Sequence, residues 1–215
     1  MTTPATTALM TRTPDELWLD LLQRIVSRAA HEVKGALNAV AVNLEVVRSR
    51  TEPQPATGAG DVGRYARVAA EHLDTVIAMN EALLALGRPA REPADGAALV
   101  RQFHALLAPC AKTAGGAMEL AEPLAASALE APAVPARLGI GAAILSAAEG
   151  TTRISADADE ARGEWVLRIH CTDGLLATVP DDVVAAAADA GVRVQAERSG
   201  KDTSIVVRCR VHRAP

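Results

Sequence analysis

Apolar residues recur every three or four positions along the first part of the chain, at Trp18, Leu22, Ile25, Ala29, Val33, Ala36, Val40, Leu44 and Val47. This spacing predicts one long helix carrying a stripe about four heptads in length. Its start is marked by Thr13-Pro14-Asp15-Glu16, a capping hydroxyl before a proline at the first helical position and acids in the first turn. The stripe stops at "TEPQPATGAGD" (51–61), whose prolines and glycines suit a short loop between antiparallel helices. A second helix over 62–86 repeats the pattern with Val62, Ala66, Ala69, Leu73, Val76 and Leu83, and Asn80 occupies a stripe position. A polar residue there sets register and partner number at some cost in stability. One hairpin lacks the depth to bury both stripes, so the expected form is a two-fold homodimer whose hairpins build a four-helix bundle.

After "GRPAREPADG" (87–96) the periodicity changes. The pattern predicts a helix over 97–108, a short strand over 117–121 and a helix over 135–148. "TTRISADA" and "EWVLRIHC" alternate as strands on either side of the turn-forming "DEARGE", and Trp165, Leu167, Ile169 and Cys171 share one face. "DDVVAAAADAG" reads as a short helix with an acidic start, and "VRVQAE" with "TSIVVRCRVH" as a closing hairpin. The expected class is α plus α+β. A helical hairpin over 14–88 precedes a domain over 92–213, with helices against one face of a mostly antiparallel sheet.

Composition narrows the functions. The 215 residues are 49% hydrophobic but only 2% aromatic, so the core is aliphatic and suits close-packed helices better than a large aromatic-lined cavity. A net charge of −4 with scattered arginines offers no phosphate-backbone surface, which excludes nucleic acid as a partner. Residues 1–13 contain no sustained apolar run, and no stretch approaches the roughly 18 apolar residues of a membrane span. Cys110, Cys171 and Cys209 form no C-x-x-C pair and read as core fillers. No metal site is expected from His72, His104, His170 and His212, which are scattered, and a reducing cytoplasm is the expected compartment.

The candidate chemistry lies in "SRAAHEVKGALNAV" (27–40), where a helical stripe is interrupted by His31, Glu32 and Lys34 and then by Gly35. His31 follows stripe residue Ala29 by two positions, roughly 200° around a helix, which places it outward. Neutral imidazole is a competent nucleophile near pH 7, and a carboxylate on its Nδ1–H, for which Glu32 is the candidate, leaves Nε2 free to attack phosphorus. Arg28 and Lys34 can offset phosphate charge, while Gly35 leaves room for an approaching partner at a helix cost of about 1 kcal/mol. Taken alone, an outward histidine on a helix is most often an ordinary surface residue.

His-Glu-aliphatic-basic-x-x-Leu on the first of two helices, followed by an α/β domain, resembles the phosphoacceptor box of bacterial sensor histidine kinases. The resemblance extends over most of the chain, since "ARLGIGAAILSAAEGTTRI" (136–154) is similar to the helix and strand that carry the kinase ATP-binding asparagine. Here Ala143 and Ala147 stand where the kinases carry asparagine, Ala147 at the metal-coordinating position. "CTDGLLATVPDD" (171–182) keeps Asp173-Gly174 but lacks the second glycine of the nucleotide box, and no Gly-x-Gly lid follows. The resemblance therefore implies a dimeric histidine phosphotransferase with a degenerate histidine-kinase-type ATPase α/β sandwich and no autokinase activity. It implies phosphohistidine at His31, assisted by Glu32, and a receiver-binding face of Ser27, Arg28, Lys34, Gly35 and Asn38. The implied partners are response-regulator receiver domains, including that of a hybrid histidine kinase, which would supply their own Mg²⁺. No cofactor is expected on this chain. Gly35 also replaces the Asn or Thr that phosphatase-competent kinases carry four residues after the histidine, which favours transfer over dephosphorylation. Two other readings compete, a divergent ATP-dependent kinase and a non-catalytic dimeric adaptor.

Overall fold

The computed structural model describes residues 12–51, 62–89, 93–172, 177–199 and 201–212. The loop expected at 51–61 and the Asp173-Gly174 pair fall almost wholly outside them. Helix α1 runs Pro14–Thr51 and α2 Val62–Gly87. Thr13 and Glu16 close a capping box: the Thr13 backbone N–H donates to Glu16 Oε2 at 2.8 Å and the Glu16 N–H to Thr13 Oγ1 at 3.3 Å. The Thr13 backbone N–H, together with the Thr13 hydroxyl that donates to the same Oε2 at 3.0 Å, holds the Glu16 carboxyl below its ordinary range.

The rest of the chain gives β1 (Ala94–Asp95), α3 (Gly96–Thr113), β2 (Met118–Leu120), β3 (Ala128–Leu129), α4 (Ala133–Ser146), β4 (Thr152–Asp159), β5 (Glu164–Cys171), α5 (Asp181–Asp189), β6 (Val192–Ser199) and β7 (Asp202–Arg210). A five-stranded sheet has the order β2-β4-β5-β7-β6, parallel only between β2 and β4, and β1 pairs separately with β3. The register aligns Ile154 with Ile169 and Ile205, and Ala156 with Leu167, Val207 and Val194. These rows are buried, so one sheet face carries the core. The two-residue β1–β3 ladder was too short to leave a pattern of period two.

Two helices depart from the sequence expectation. Helix α3 was expected to stop before Pro109 but continues through it to Thr113. Buried Leu106, Leu107 and Ala111 anchor that last stretch, so packing outweighs the missing backbone donor. At α5 the acids do not cap: Pro180 is the N-cap residue, and Asp182 is gripped by Arg12, which lowers its pKa.

Helix α4 is buried on almost every side and joins the hairpin to the sheet domain. Gly141 permits the contact, since a Cβ there would come within 2.7 Å of the Phe103 ring and 3.2 Å of Leu21. Arg137, 9% exposed, donates from Nη1 to the carbonyls of Leu86 and Arg88 at 3.4 and 3.2 Å and lies 5.9 Å from the Trp18 ring centroid. Its guanidinium is depressed by burial. The interaction satisfies carbonyls at the end of α2 with a cation, where the helix dipole favours one. Leu17, Leu21 and Ile25 of α1 belong to the same apolar core as Ile144 of α4 and Trp165 of β5. The expected boundary near residue 90 is thus crossed by continuous packing, and the first half of α1 is held against the sheet domain.

The stripe expected on α2 divides in two. Ala69, Val76 and Leu83 are buried or half-buried against this chain, whereas Ala66, Leu73 and Asn80 are exposed, as is Leu44 on α1. Beside the buried set runs an outward seam, Ala66, Ala70, Leu73, Ile77, Asn80 and Leu84, with three- and four-residue spacing. Among the described residues all eight exposed large hydrophobics lie on α1 or α2.

Candidate functional site at His31

Ala29 is fully buried and His31 exposed, as the helical period requires. His31 stands where α1 meets the C-terminal end of α3, between two clefts. The first, about 710 Å³, is lined by Ser27, Arg28, His31, Glu32, Cys110, Thr113, Ala114, Ala148 and Glu149. The second, about 850 Å³, lies on the other side of Glu32 and adds Gly35, His72, Thr75, Met79 and Lys112. The site therefore draws on α1, α2, α3 and the turn between α4 and β4.

Of the residues expected at the site, Ser27, Arg28, His31 and Glu32 share the first cleft, and Gly35 joins His31 and Glu32 in the second. Lys34 and Asn38 are exposed and line neither cleft. The expectation that Glu32 backs the imidazole is not met in this geometry. Successive helix positions point about 100° apart, and the Glu32 carboxylate is turned to α3, where Thr113 Oγ1 donates to its Oε2 at 2.7 Å. Arg28 is also engaged: its Nη2 donates to Glu149 Oε1 at 2.7 Å. Arg28 and Glu32 are thus both held by the second domain, and the exposed imidazole stands beside one guanidinium and two carboxylates.

Sequence reasoning missed Thr113, Glu149, Cys110 and His72. His72 reads as a plain surface residue, yet it is half-buried and lines the second cleft with His31. Cys110 is half-buried, and burial, then Glu32, push its thiol up from the ordinary value. Cys171 and Cys209 are buried in the sheet, with burial raising them to about 11 and about 12. At neutral pH all three are therefore thiols, not thiolate nucleophiles. Among the described residues no group of three or more His, Cys, Asp or Glu side chains is placed to hold a metal, and no helix is long and apolar enough to cross a membrane.

The residues at the expected nucleotide position do not fit a nucleotide. Ala143 and Ala147 are both 0% exposed, packed inward, and their methyl groups offer neither a metal ligand nor an amide to phosphate. The α4–β4 region instead presents Glu149 to the His31 cleft.

Gly35 occupies open space: an added Cβ would meet nothing within 4 Å. Gly35→Ala is accordingly expected to stabilise the protein by about 1 kcal/mol through helix propensity alone. Thermal or urea unfolding of the variant checks this, and a loss of stability would mean that the space is not open.

No family model matches the sequence, and no curated protein matches it at a significant level. Solved structures do match. A bacterial phosphotransferase superposes with a TM-score of 0.51 at 13% identity, covering 96% of this chain and 100% of its own. The histidine kinase AdeS of Acinetobacter baumannii gives 0.46 at 15% identity, over 85% of this chain and 98% of that one. Full-length ShkA in complex with AMPPNP gives 0.44 at 15% identity, over 94% of this chain and 47% of that one. At these identities the likeness to the phosphotransferase is one of fold: a helical hairpin followed by a mixed α/β domain.

Proposed function

We propose that the chain is a histidine phosphotransferase that relays phosphoryl groups between response-regulator receiver domains through phosphohistidine at His31. The observation that carries this reading is the exposed His31 at the junction of two clefts, with Arg28 and Glu32 beside it. Phosphoryl transfer depends mainly on positioning and charge stabilisation, so a nucleophile and a docking face suffice when the receiver brings its own Mg²⁺. Nε2 attacks the phosphorus of an aspartyl phosphate in line, the P–O bond to the aspartate breaks, and the carboxylate leaves with the bonding pair. The reverse reaction on a second receiver passes the group on. Ser27, Lys34, Gly35 and Asn38 extend the docking face along α1, and Gly35→Leu should lower both receiver affinity and transfer rate.

The working form is a cytoplasmic homodimer, supported by the half-covered α2 stripe. Buried Ala143 and Ala147 weigh against the kinase reading. Calorimetry with Mg·ATP is expected to be flat up to about millimolar nucleotide, a dissociation free energy below about 4 kcal/mol. Saturable micromolar binding would favour a divergent kinase instead. The direct test of relay is incubation with phosphorylated receiver domains while the label is followed onto and off the protein.

A further inference from the structure

We infer that Glu149 is a positioning residue that tunes the free energy of phosphohistidine at His31 by pairing with Arg28; the inference rests on the phosphotransfer reading. A relay intermediate must accept a phosphoryl group from one aspartate and release it to another, so its phosphorylated form must not become a trap. Arg28 sits one helical turn before His31, on the same side, where a guanidinium would hold an incoming dianion strongly. Its Nη2 is instead bonded to Glu149 Oε1 at 2.7 Å, and Arg28, His31 and Glu149 line one cleft. The carboxylate offsets the guanidinium and adds a like charge near the position the phosphoryl group takes.

Glu149 comes from the turn after α4, 121 positions away in the chain, so only the second domain can deliver it. Burial of α4 fixes that turn against α1: Leu145 and Ala148 are buried beside it, and Gly141 allows the close approach. A domain that buries alanines at 143 and 147 thereby acquires a role in transfer. It sets the charge around a histidine that it does not phosphorylate.

The test is the equilibrium partition of phosphoryl between a cognate receiver and His31, measured for wild type, Glu149→Gln, Arg28→Gln and the double variant. Glu149 is 63% exposed on its side chain, so the change to Gln should leave folding intact. At about 0.05 M salt, Glu149→Gln should raise the phosphohistidine share about two- to fivefold, the range of an exposed ion pair. Arg28→Gln should lower it, and Glu149→Gln should do much less when Arg28 is absent. At about 1 M salt, where screening acts within ~3 Å, the Glu149→Gln effect should shrink. Glu197→Gln, on the far strand β6, is the control and should leave the partition unmoved. An unchanged or lowered phosphohistidine share in Glu149→Gln would overturn the inference, as would an effect that survives high salt or persists in full without Arg28. If wild type takes no label from phosphorylated receivers, the phosphotransfer reading fails and this inference falls with it; labelled wild type with an unmoved partition in Glu149→Gln removes this inference alone.

Discussion

His31→Ala should take up no label from a phosphorylated receiver while remaining folded and dimeric. The side chain is exposed and contributes nothing to the apolar core, so its removal costs little packing. It is the imidazole shared by both clefts, whereas His72 is half-buried and lines the second alone, and burial keeps the Cys110 thiol of the first cleft protonated. Loss of the attacking nitrogen removes the reaction outright and does not merely slow it. Glu32→Ala should be milder. Its carboxylate rests on Thr113 Oγ1, so the variant loses that tie and the negative charge beside the ring, and transfer should slow without loss of docking. Replacing His104, His170 or His212 by Ala should leave labelling in place, since none lines either cleft. Acid-labile phosphate followed by gel and mass mapping reads all of these. Labelling of His31→Ala at the wild-type rate would discard the transfer reading and leave the non-catalytic adaptor as the better account.

Local periodicity made much of this architecture legible. The α1 stripe, the outward position of His31 and the strands β5 and β7 follow from periods of 3.6 and 2 that neighbouring residues alone impose. The features that sequence reasoning missed are those that depend on distant segments. Thr113 and Glu149 reach the site from 81 and 121 positions away, with no local signal to announce them. The bond from Thr113 to Glu32 was not legible for the same reason, because that donor lies on another helix. Pro109 suggested a helix end, but the burial of Leu106, Leu107 and Ala111 belongs to the tertiary core. The sequence also shows alanine at 143 and 147 without showing that both face inward, which is what separates a lost ligand from a merely altered one.

The α2 stripe leads to the other large expected effect, dissociation of the proposed dimer. Read as one series, Val62, Ala66, Ala69, Leu73, Val76, Asn80 and Leu83 alternate between a covered side, packed on α1, and a side left exposed among the described residues. That alternation is expected at the centre of a four-helix bundle, where each helix packs against one neighbour of its own hairpin and one of the partner's. Leu73, Ile77 and Leu84 are 45%, 49% and 56% exposed in the single chain, an apolar ridge on a protein whose other exposed large aliphatics, among the described residues, all lie on α1. Asn80 falls within the ridge, where pairing with its symmetry mate would fix the register at the cost of a purely apolar contact. Replacing Leu73 and Ile77 together by Glu should therefore yield a monomer. Two-fold symmetry counts each substitution twice, and since both side chains are already about half covered, the lost burial alone amounts to about 3 kcal/mol or more, about two orders of magnitude in the dissociation constant. Repulsion among four carboxylates on facing helices adds to it. Light scattering at micromolar concentration should find the wild type at twice the chain mass and the double variant at the chain mass, with helical content retained because both sites are outside the chain's own core. A wild type that is already monomeric, or a variant that stays dimeric, would mean that the ridge is not the interface and that His31 works from a single hairpin.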